Sequence, residues 1–357
     1  MTSPERECFF YVGTYSPSET ESLFLCALNS DTGQMRIVAG TAGIENPSYL
    51  TVSPDGRNLY AVSEVEKGEI FAYSIDDRTK ELHMICRKPS EGAYPCHLAL
   101  TPDGKALLAA NYGGGVVAFG IRDQGGLDEA THVNHFGSSV NAQRQSEPHP
   151  HAFVPSPDGA YLFVPDLGTD RIVKYTLEDG RLFKQGETEL PPGTGPRTLT
   201  FHARRNWAYV TGELNSTVAM FEYEAHNGRL KLLDQAELLP EDEMDDPVST
   251  AAHVAVSTCG RFVYASTRGH DSIVRFNIDP DSGRLVFQGR VPVHGAEPRH
   301  FAIVDSHLLV ANQDSGNIVS FLINRETGEL TPTGFELNAN RPVCICKLPV
   351  PEGSQGA

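Results

Sequence analysis

The chain has 357 residues, of which 39% are hydrophobic and 21% charged, and a formal net charge of −17. That composition is ordinary for a globular protein, and the charge repels nucleic acid and acidic membranes, so neither is expected as a partner. No apolar run reaches membrane-spanning length, and the N-terminus MTSPERECFF lacks the apolar segment of a signal peptide.

The chain opens on a strand-like run, FFYVGTYS (9–16), and then repeats itself. NPSYLTVSPDGRNLYAVSE (46–64) recurs as YPCHLALTPDGKALLAANY (94–112) and HPHAFVPSPDGAYLFVPDL (149–167). Degenerate copies follow as GPRTLTFHARRNWAYVTGE (195–213), TAAHVAVSTCGRFVYASTR (250–268) and EPRHFAIVDSHLLVANQ (297–313), and a cut-short one as RPVCICKLPV (341–350). The anchors Pro47, Pro95, Pro150, Pro196, Ala251, Pro298 and Pro342 are 48, 55, 46, 55, 47 and 44 residues apart. Within a repeat, four runs such as YLTVS, NLYAVSE, EIFAYSI and ELHMICR are rich in β-branched and aromatic residues and separated by PDG, EKG and DDRTK turns. Short strands at such a period predict an all-β fold: a seven-bladed β-propeller of four-stranded antiparallel blades, a single domain over 1–357. FFYVGTYS matches the second strand of a repeat, and RPVCICKL stands alone as a first strand. The C-terminal strand is therefore expected to pair with the N-terminal blade and close the ring, which removes exposed sheet edges.

In such a blade the innermost strand begins, and the second strand ends, at the same mouth of the central channel. The residues just after the anchors are Ser48, Cys96, His151, Arg197, Ala252, Arg299 and Val343; the second strands end at Thr14, Glu64, Tyr112, Asp166, Glu213, Arg268 and Gln313. Three arginines, one histidine and three carboxylates thus collect at one opening. A channel mouth needs polar residues for solvation alone. Crowded arginines, however, repel one another and cost desolvation, so a merely wetted rim has little use for them. The two 55-residue intervals owe their length to 132–148 and 237–250, loops placed over the same mouth, where long loops tend to carry function. His149 precedes Pro150, before the strand has fixed its direction, and is expected to hold the first of these loops by a hydrogen bond.

Other motifs carry less. NYGGGVVAFG (111–120) resembles a phosphate-cradling loop but runs into a strand, so it reads as a turn. The acidic run EDEMDD (241–246) reads as a solvated loop, and Asn215-Ser216-Thr217 as an accidental glycosylation sequon. No GxSxG or HExxH occurs. Seven scattered cysteines, Cys8, Cys26, Cys86, Cys96, Cys259, Cys344 and Cys346, form no CxxC, which favours a reducing cytoplasm over a disulfide framework or zinc ribbon.

The stretches YVGTYS (11–16), PSYLTVSPDGRNLYAVSE, RQSEPHPHAFVPSPDGAYLFVPDLGTDRI (144–172), GPRTLTF with YVTGELNSTV, and LLVANQDSGNIVSF (308–321) resemble the seven-bladed propeller lactonases, which include bacterial-type 6-phosphogluconolactonases and fungal carboxy-muconate lactonizing enzymes. The likeness spans essentially the whole chain, and RQ…PHPH…DLGTD is its most specific part. It implies catalytic and substrate-binding roles for His151, Glu213, Arg197 and Arg268. The expected activity is opening of a sugar-acid lactone without cofactor or metal: His151 activates water, and Arg197 and Arg268 bind anionic oxygen. Glu213 is expected to orient His151 or an arginine, or to protonate the leaving alkoxide. Arg144, His149, Asp166, Arg299, Glu64 and Tyr112 are expected substrate contacts. The implied partner is a small lactone, with the chain a monomer or weak homo-oligomer. Three rivals stand beside this reading. A cycloisomerase would use the same four groups on a muconate. A calcium-dependent lactonase would bind its ion through Glu64, Asp166 and Glu213, against the repulsion of Arg197 and Arg268. A non-catalytic interaction platform would have no use for a charged pocket.

Overall fold

The structure is a computed structural model and describes residues 6–239 and 249–349; the acidic run 241–246 and most of the loop before Ala251 lie outside them. The strands form seven four-stranded antiparallel sheets, with one short 3₁₀ turn at Asp123–Gly125. Blade 1 holds Glu7–Thr14, Leu23–Asn29 and Met35–Thr41 with Pro342–Lys347 as its innermost strand. The innermost strands of blades 2 to 7 are Leu50–Val52, Pro95–Leu100, Val154–Pro155, Pro196–Phe201, Thr250–Val256 and Pro298–Val304. The run NYGGG turns at 112–114 into the strand Gly115–Ile121, as its reading anticipates.

The repeat motif explains the blade locally. In SPDG, Ser53 Oγ donates to Asp55 Oδ1 at 2.6 Å and Gly56 takes φ +72°, a conformation that glycine adopts without strain. The same hydroxyl–carboxylate pair recurs at Thr101–Asp103 and Ser156–Asp158. The aromatic residue of the second strand joins neighbouring blades. Tyr11, Tyr60, Tyr209 and Tyr264 are fully buried, and each donates its hydroxyl proton to a carbonyl in the next blade: Lys80, Gly125, Gly283 and Gly328, at 2.6 to 3.2 Å. The hydrophobic core is accordingly divided among seven blade–blade interfaces. Tyr11, Leu25, Leu59 and Phe71 fill the first of these, and Phe10, Phe24, Leu309 and Ile318 fill the one that closes the circle.

The C-terminal strand closes the ring on the N-terminal blade, as expected. Phe10, Tyr11 and Val12 pair with Lys347, Cys346 and Ile345, while their other edge pairs with Leu23–Asn29. Val343, Cys344 and Ile345 are at most 3% exposed. A chain ending before Arg341 leaves the Glu7–Thr14 edge unpaired and forfeits about 5 kcal/mol of apolar burial from those three side chains. Its melting temperature should fall by about 10 °C or more; melting at the full-length temperature would refute closure by this strand.

Candidate active site

The site is built by irregular strand entries. In blade 3, Pro95 pairs with Asn111 and His97 with Ala110, which skips Cys96; in blade 7, Pro298 and His300 pair with Asn312 and Ala311, which skips Arg299. In blades 5 and 6 the register jumps over Arg197 and Thr198 and over Ala252 and His253. Bulges of this kind re-aim side chains. Here they turn Cys96, Arg197 and Arg299 into one cavity at the channel mouth, together with Ser48, Glu64 and His151. The freed backbone donors are satisfied nearby: Thr198 N–H donates to Thr211 Oγ1 at 3.0 Å and His253 N–H to Ser266 Oγ at 3.1 Å.

Glu213, 2% exposed, is the hub. Arg144 Nη2 donates to its Oε1 at 2.6 Å, and Arg197 Nε and Arg268 Nη2 lie 2.9 and 3.1 Å from its Oε2. The Arg197 N–H does not point at that oxygen, so this contact is ionic and not a hydrogen bond. Burial alone would raise the Glu213 pKa, but Arg268, Arg197 and Arg144 hold it far below the usual carboxylate range. Burial and the neighbouring Arg268 in turn pull Arg197 down to about 10, which still leaves it charged at neutral pH. Arg197 Nη1 also donates to Ala252 O at 2.7 Å, fixing the plane of the guanidinium. Arg268 reaches Glu297 at 3.4 Å. Across the mouth, Glu64 accepts from Tyr15 Oη at 2.7 Å and from Ser48 Oγ, and Arg299 lies 4.0 Å away over the Tyr15 ring.

His151 lines the same cavity and is buried. Its Nδ1 is 3.9 Å from Cys96 Sγ, and among the described residues its Nε2 has no protein hydrogen-bond partner. Burial, reinforced by Arg197 and Arg299 against the pull of Glu213, keeps it well below 6.5 and hence neutral. Glu213 makes no hydrogen bond to it. Of the roles expected for Glu213, which were to orient His151, to orient an arginine or to protonate a leaving alkoxide, its contacts match the second: it is an ionised counter-charge to Arg144, Arg197 and Arg268.

The PHPH…DLGTD motif is a clamp beside this cavity. Asp166, 0% exposed, accepts from His149 N–H at 2.8 Å and Gly168 N–H at 3.1 Å and contacts His135 Nδ1 at 2.6 Å, whose Nε2 meets Tyr175 Oη at 2.8 Å. Asp166, expected as a substrate contact, has its carboxylate engaged by the loop ahead of blade 4, which folds back onto it. A Cβ on Gly168 would lie 1.9 Å from Glu147 O, so only glycine admits this close approach. Asp170 accepts from Ser139 Oγ at 2.5 Å and from Gly193 and Gly195 N–H at 2.7 and 2.6 Å, which ties the loop to the strand entry of Arg197. His149 stacks on Tyr112 with centroids 4.1 Å apart, and its Nδ1 lies 2.8 Å from Tyr112 O. Tyr112 Oη in turn accepts from Arg144 at 3.4 Å. The three carboxylates considered for a hard cation are not brought to one point, and no cluster of metal-ligand type occurs among the described residues. Asp166→Ala orphans two buried N–H groups and an imidazole, each worth about 1–3 kcal/mol. It should therefore lower stability by about 3 kcal/mol, read as a drop in urea midpoint; an unchanged midpoint would show that the clamp contributes nothing.

One group of residues escaped the sequence reading. Tyr49, His97, Thr198, His253 and His300 line the cavity one residue deeper than the anchor-plus-one set. Three histidines in one column of the repeat were the available signal.

A closed seven-bladed ring with one charged, partly buried mouth defines a propeller whose scaffold is generic and whose pocket is specific. The family model described as "Lactonase, 7-bladed beta-propeller" matches residues 9–347, and the chain belongs to that family of enzymes. It is similar to the 6-phosphogluconolactonase of Bacillus subtilis strain 168, with 32% identity over 340 residues covering 94% of this chain and 97% of that one. It is also similar to the 6-phosphogluconolactonase of Formosa agariphila, with 33% identity over 92% and 96% of the two chains. Among solved structures, the periplasmic gluconolactonase of Pseudomonas aeruginosa superposes with a TM-score of 0.91 at 32% identity, covering 97% of this chain and all of that one. No helix among the described residues is long and apolar enough to cross a membrane.

Proposed function

We propose that the protein hydrolyses the ring ester of a sugar-acid lactone, of the 6-phosphogluconolactone kind that its relatives' names indicate, at the mouth built around His151 and Glu213. The observation that carries this reading is the pairing of a neutral histidine with arginines already gathered and oriented by one carboxylate. His151 Nε2 removes a proton from water as the oxygen attacks the lactone carbonyl carbon. Negative charge develops on the carbonyl oxygen and is met by the positive charge of the Arg197 and Arg268 guanidiniums that Glu213 gathers. The ring C–O bond then breaks, and the proton held by His151 passes to the departing ring oxygen to give the hydroxy acid. The growing anion raises the proton affinity of His151 as the water is deprotonated, so a base neutral at rest is the suitable one. Arg144, Tyr112, Glu64 and Arg299 complete the rim. The enzyme acts as a monomer or weak homo-oligomer, and its seven free cysteines suit a reducing cytoplasm.

The test is acid release from glucono-1,5-lactone and 6-phosphogluconolactone by the pure protein, before and after dialysis against a chelator. Turnover of either, unaffected by chelation, supports the reading; loss of activity restored by calcium supports the metal-dependent rival, and turnover of a muconate alone the cycloisomerase. Arg197→Lys keeps the charge but loses the planar fork, and should cost about a hundredfold in kcat/KM. Wild-type kinetics in that variant would reduce Arg197 to a structural part of the rim.

A further inference from the structure

Beneath the charged mouth the cavity changes character. Its deeper wall is formed by Tyr49, His97, His253 and His300, with Thr198 between them. The rings form a belt: Tyr49 and His97 centroids are 4.3 Å apart, His253 and His300 4.1 Å, and Tyr49 meets His300 edge-on at 5.9 Å. Two of these imidazoles are held in a defined tautomer by the backbone. Phe153 N–H donates to His97 Nδ1 and Ile345 N–H to His300 Nδ1, each at 3.3 Å. A neutral ring that accepts at Nδ1 carries its proton at Nε2. Among the described residues, those Nε2–H groups and the Tyr49 hydroxyl have no protein partner, although the rings that bear them line the cavity. Burial, with the neighbouring charges of Arg197 and other groups, draws His97 and His300 down to about 3, so they do not become cations at neutral pH.

The belt therefore offers fixed, uncharged donors, while every formal charge of the site is held one level above. Such donors suit neutral hydroxyl groups and leave an anion to the arginines. Resting on the lactonase reading, we infer that His97, His300 and Tyr49 bind the hydroxyl groups of the substrate and confine the enzyme to polyhydroxylated lactones. A site built to hydrogen-bond a hydroxyl rejects the analogue lacking it far more strongly than an apolar pocket rejects a size change, by about 10⁴-fold in favourable cases. The paired substrates for the test share a six-membered ring ester: glucono-1,5-lactone, which carries hydroxyls, and δ-valerolactone, which carries none.

The experiment measures kcat/KM on both lactones for the wild type, His97→Phe, His300→Phe and His300→Gln, with the melting temperature of each. The wild type should prefer the polyhydroxylated lactone by about 10³-fold or more. Each phenylalanine variant should lose about a hundredfold on glucono-1,5-lactone and little on δ-valerolactone, so that the preference collapses. His300→Gln, which keeps an N–H near the position of Nε2, should recover most of it. A preference unchanged in folded variants overturns the inference, as does an equal loss on both lactones, which a catalytic or purely structural role would produce. A wild type inert on both lactones overturns the lactonase reading and this inference with it, whereas a lactonase whose preference survives the substitutions overturns only the role of the belt.

Discussion

His151→Ala should fold normally and lose about a hundredfold to ten-thousandfold in turnover, the range expected when a general base is removed. His151 occupies the column that holds Arg197 and Arg299 in other blades, and its side chain lines the cavity with an Nε2 that the protein leaves unpartnered. His149→Ala should behave differently, because that ring is spent on the carbonyl and ring face of Tyr112. It should lose less activity and about 1–2 kcal/mol of stability, the cost of one buried hydrogen bond and its packing. Turnover and melting temperature measured on both variants separate the two histidines. Near-normal turnover in His151→Ala would remove the base and leave the arginine cluster without a reaction to serve.

Acid should unfold this protein early, well before its carboxylates titrate. His97, His151, His253 and His300 are all pushed below the ordinary histidine value, by burial first and then by neighbouring positive groups such as Arg197. The folded protein therefore leaves them neutral where the unfolded chain, with a pKa near 6.5, binds protons. Stability is fully present above about pH 6.5 and is lost as pH falls from there toward the folded values, which for His97 and His300 are about 3. Each histidine contributes a slope of about 1.4 kcal/mol per pH unit, so the four together take away about 5 kcal/mol by pH 5.5. Glu213, held ionised by its arginines, adds a loss of the same sign only as pH falls below the ordinary glutamate range. Melting temperatures at pH 7.5, 6.5, 5.5 and 4.5 should fall steeply over the last three. A flat profile to pH 5 would mean that the imidazoles accept protons inside the fold, and the neutral-base account of His151 would fail with it.

The ring was legible because the repeat is written in residue types that turn and pair locally: the proline anchors, the SPDG turns and the second-strand tyrosines. The pairing of the C-terminal strand with the N-terminal blade follows from counting strands at both ends. The mouth was legible at Arg197, Glu213 and Arg268 because their columns run to the same rim. His97, His253 and His300 were not, since strand alternation presumes an unbroken ladder, and a bulge at the strand entry turns two consecutive side chains inward. The buried contacts of Asp166 were not legible for a different reason. It shares a column with Glu64 and Glu213, but the loop preceding its blade contributes His135 and the His149 N–H, and nothing in the repeat announces that a loop will fold back on its own blade.

The strand that closes the ring also sets an order of events during synthesis. Val12 waits for Ile345, about 330 residues later, so the first blade made is the last completed. While the chain emerges from the ribosome, Glu7–Thr14 carries an open edge with apolar neighbours, and blades 2 to 6 can consolidate on their local contacts without it. The last fold-forming step is then the docking of Pro342–Lys347 onto an edge made at the start of the chain. A circular permutant cut in a surface turn between blades would give blade 1 all four strands in continuous sequence. It should complete that blade without waiting for a strand about 330 residues away, and expose less sticky edge on the way.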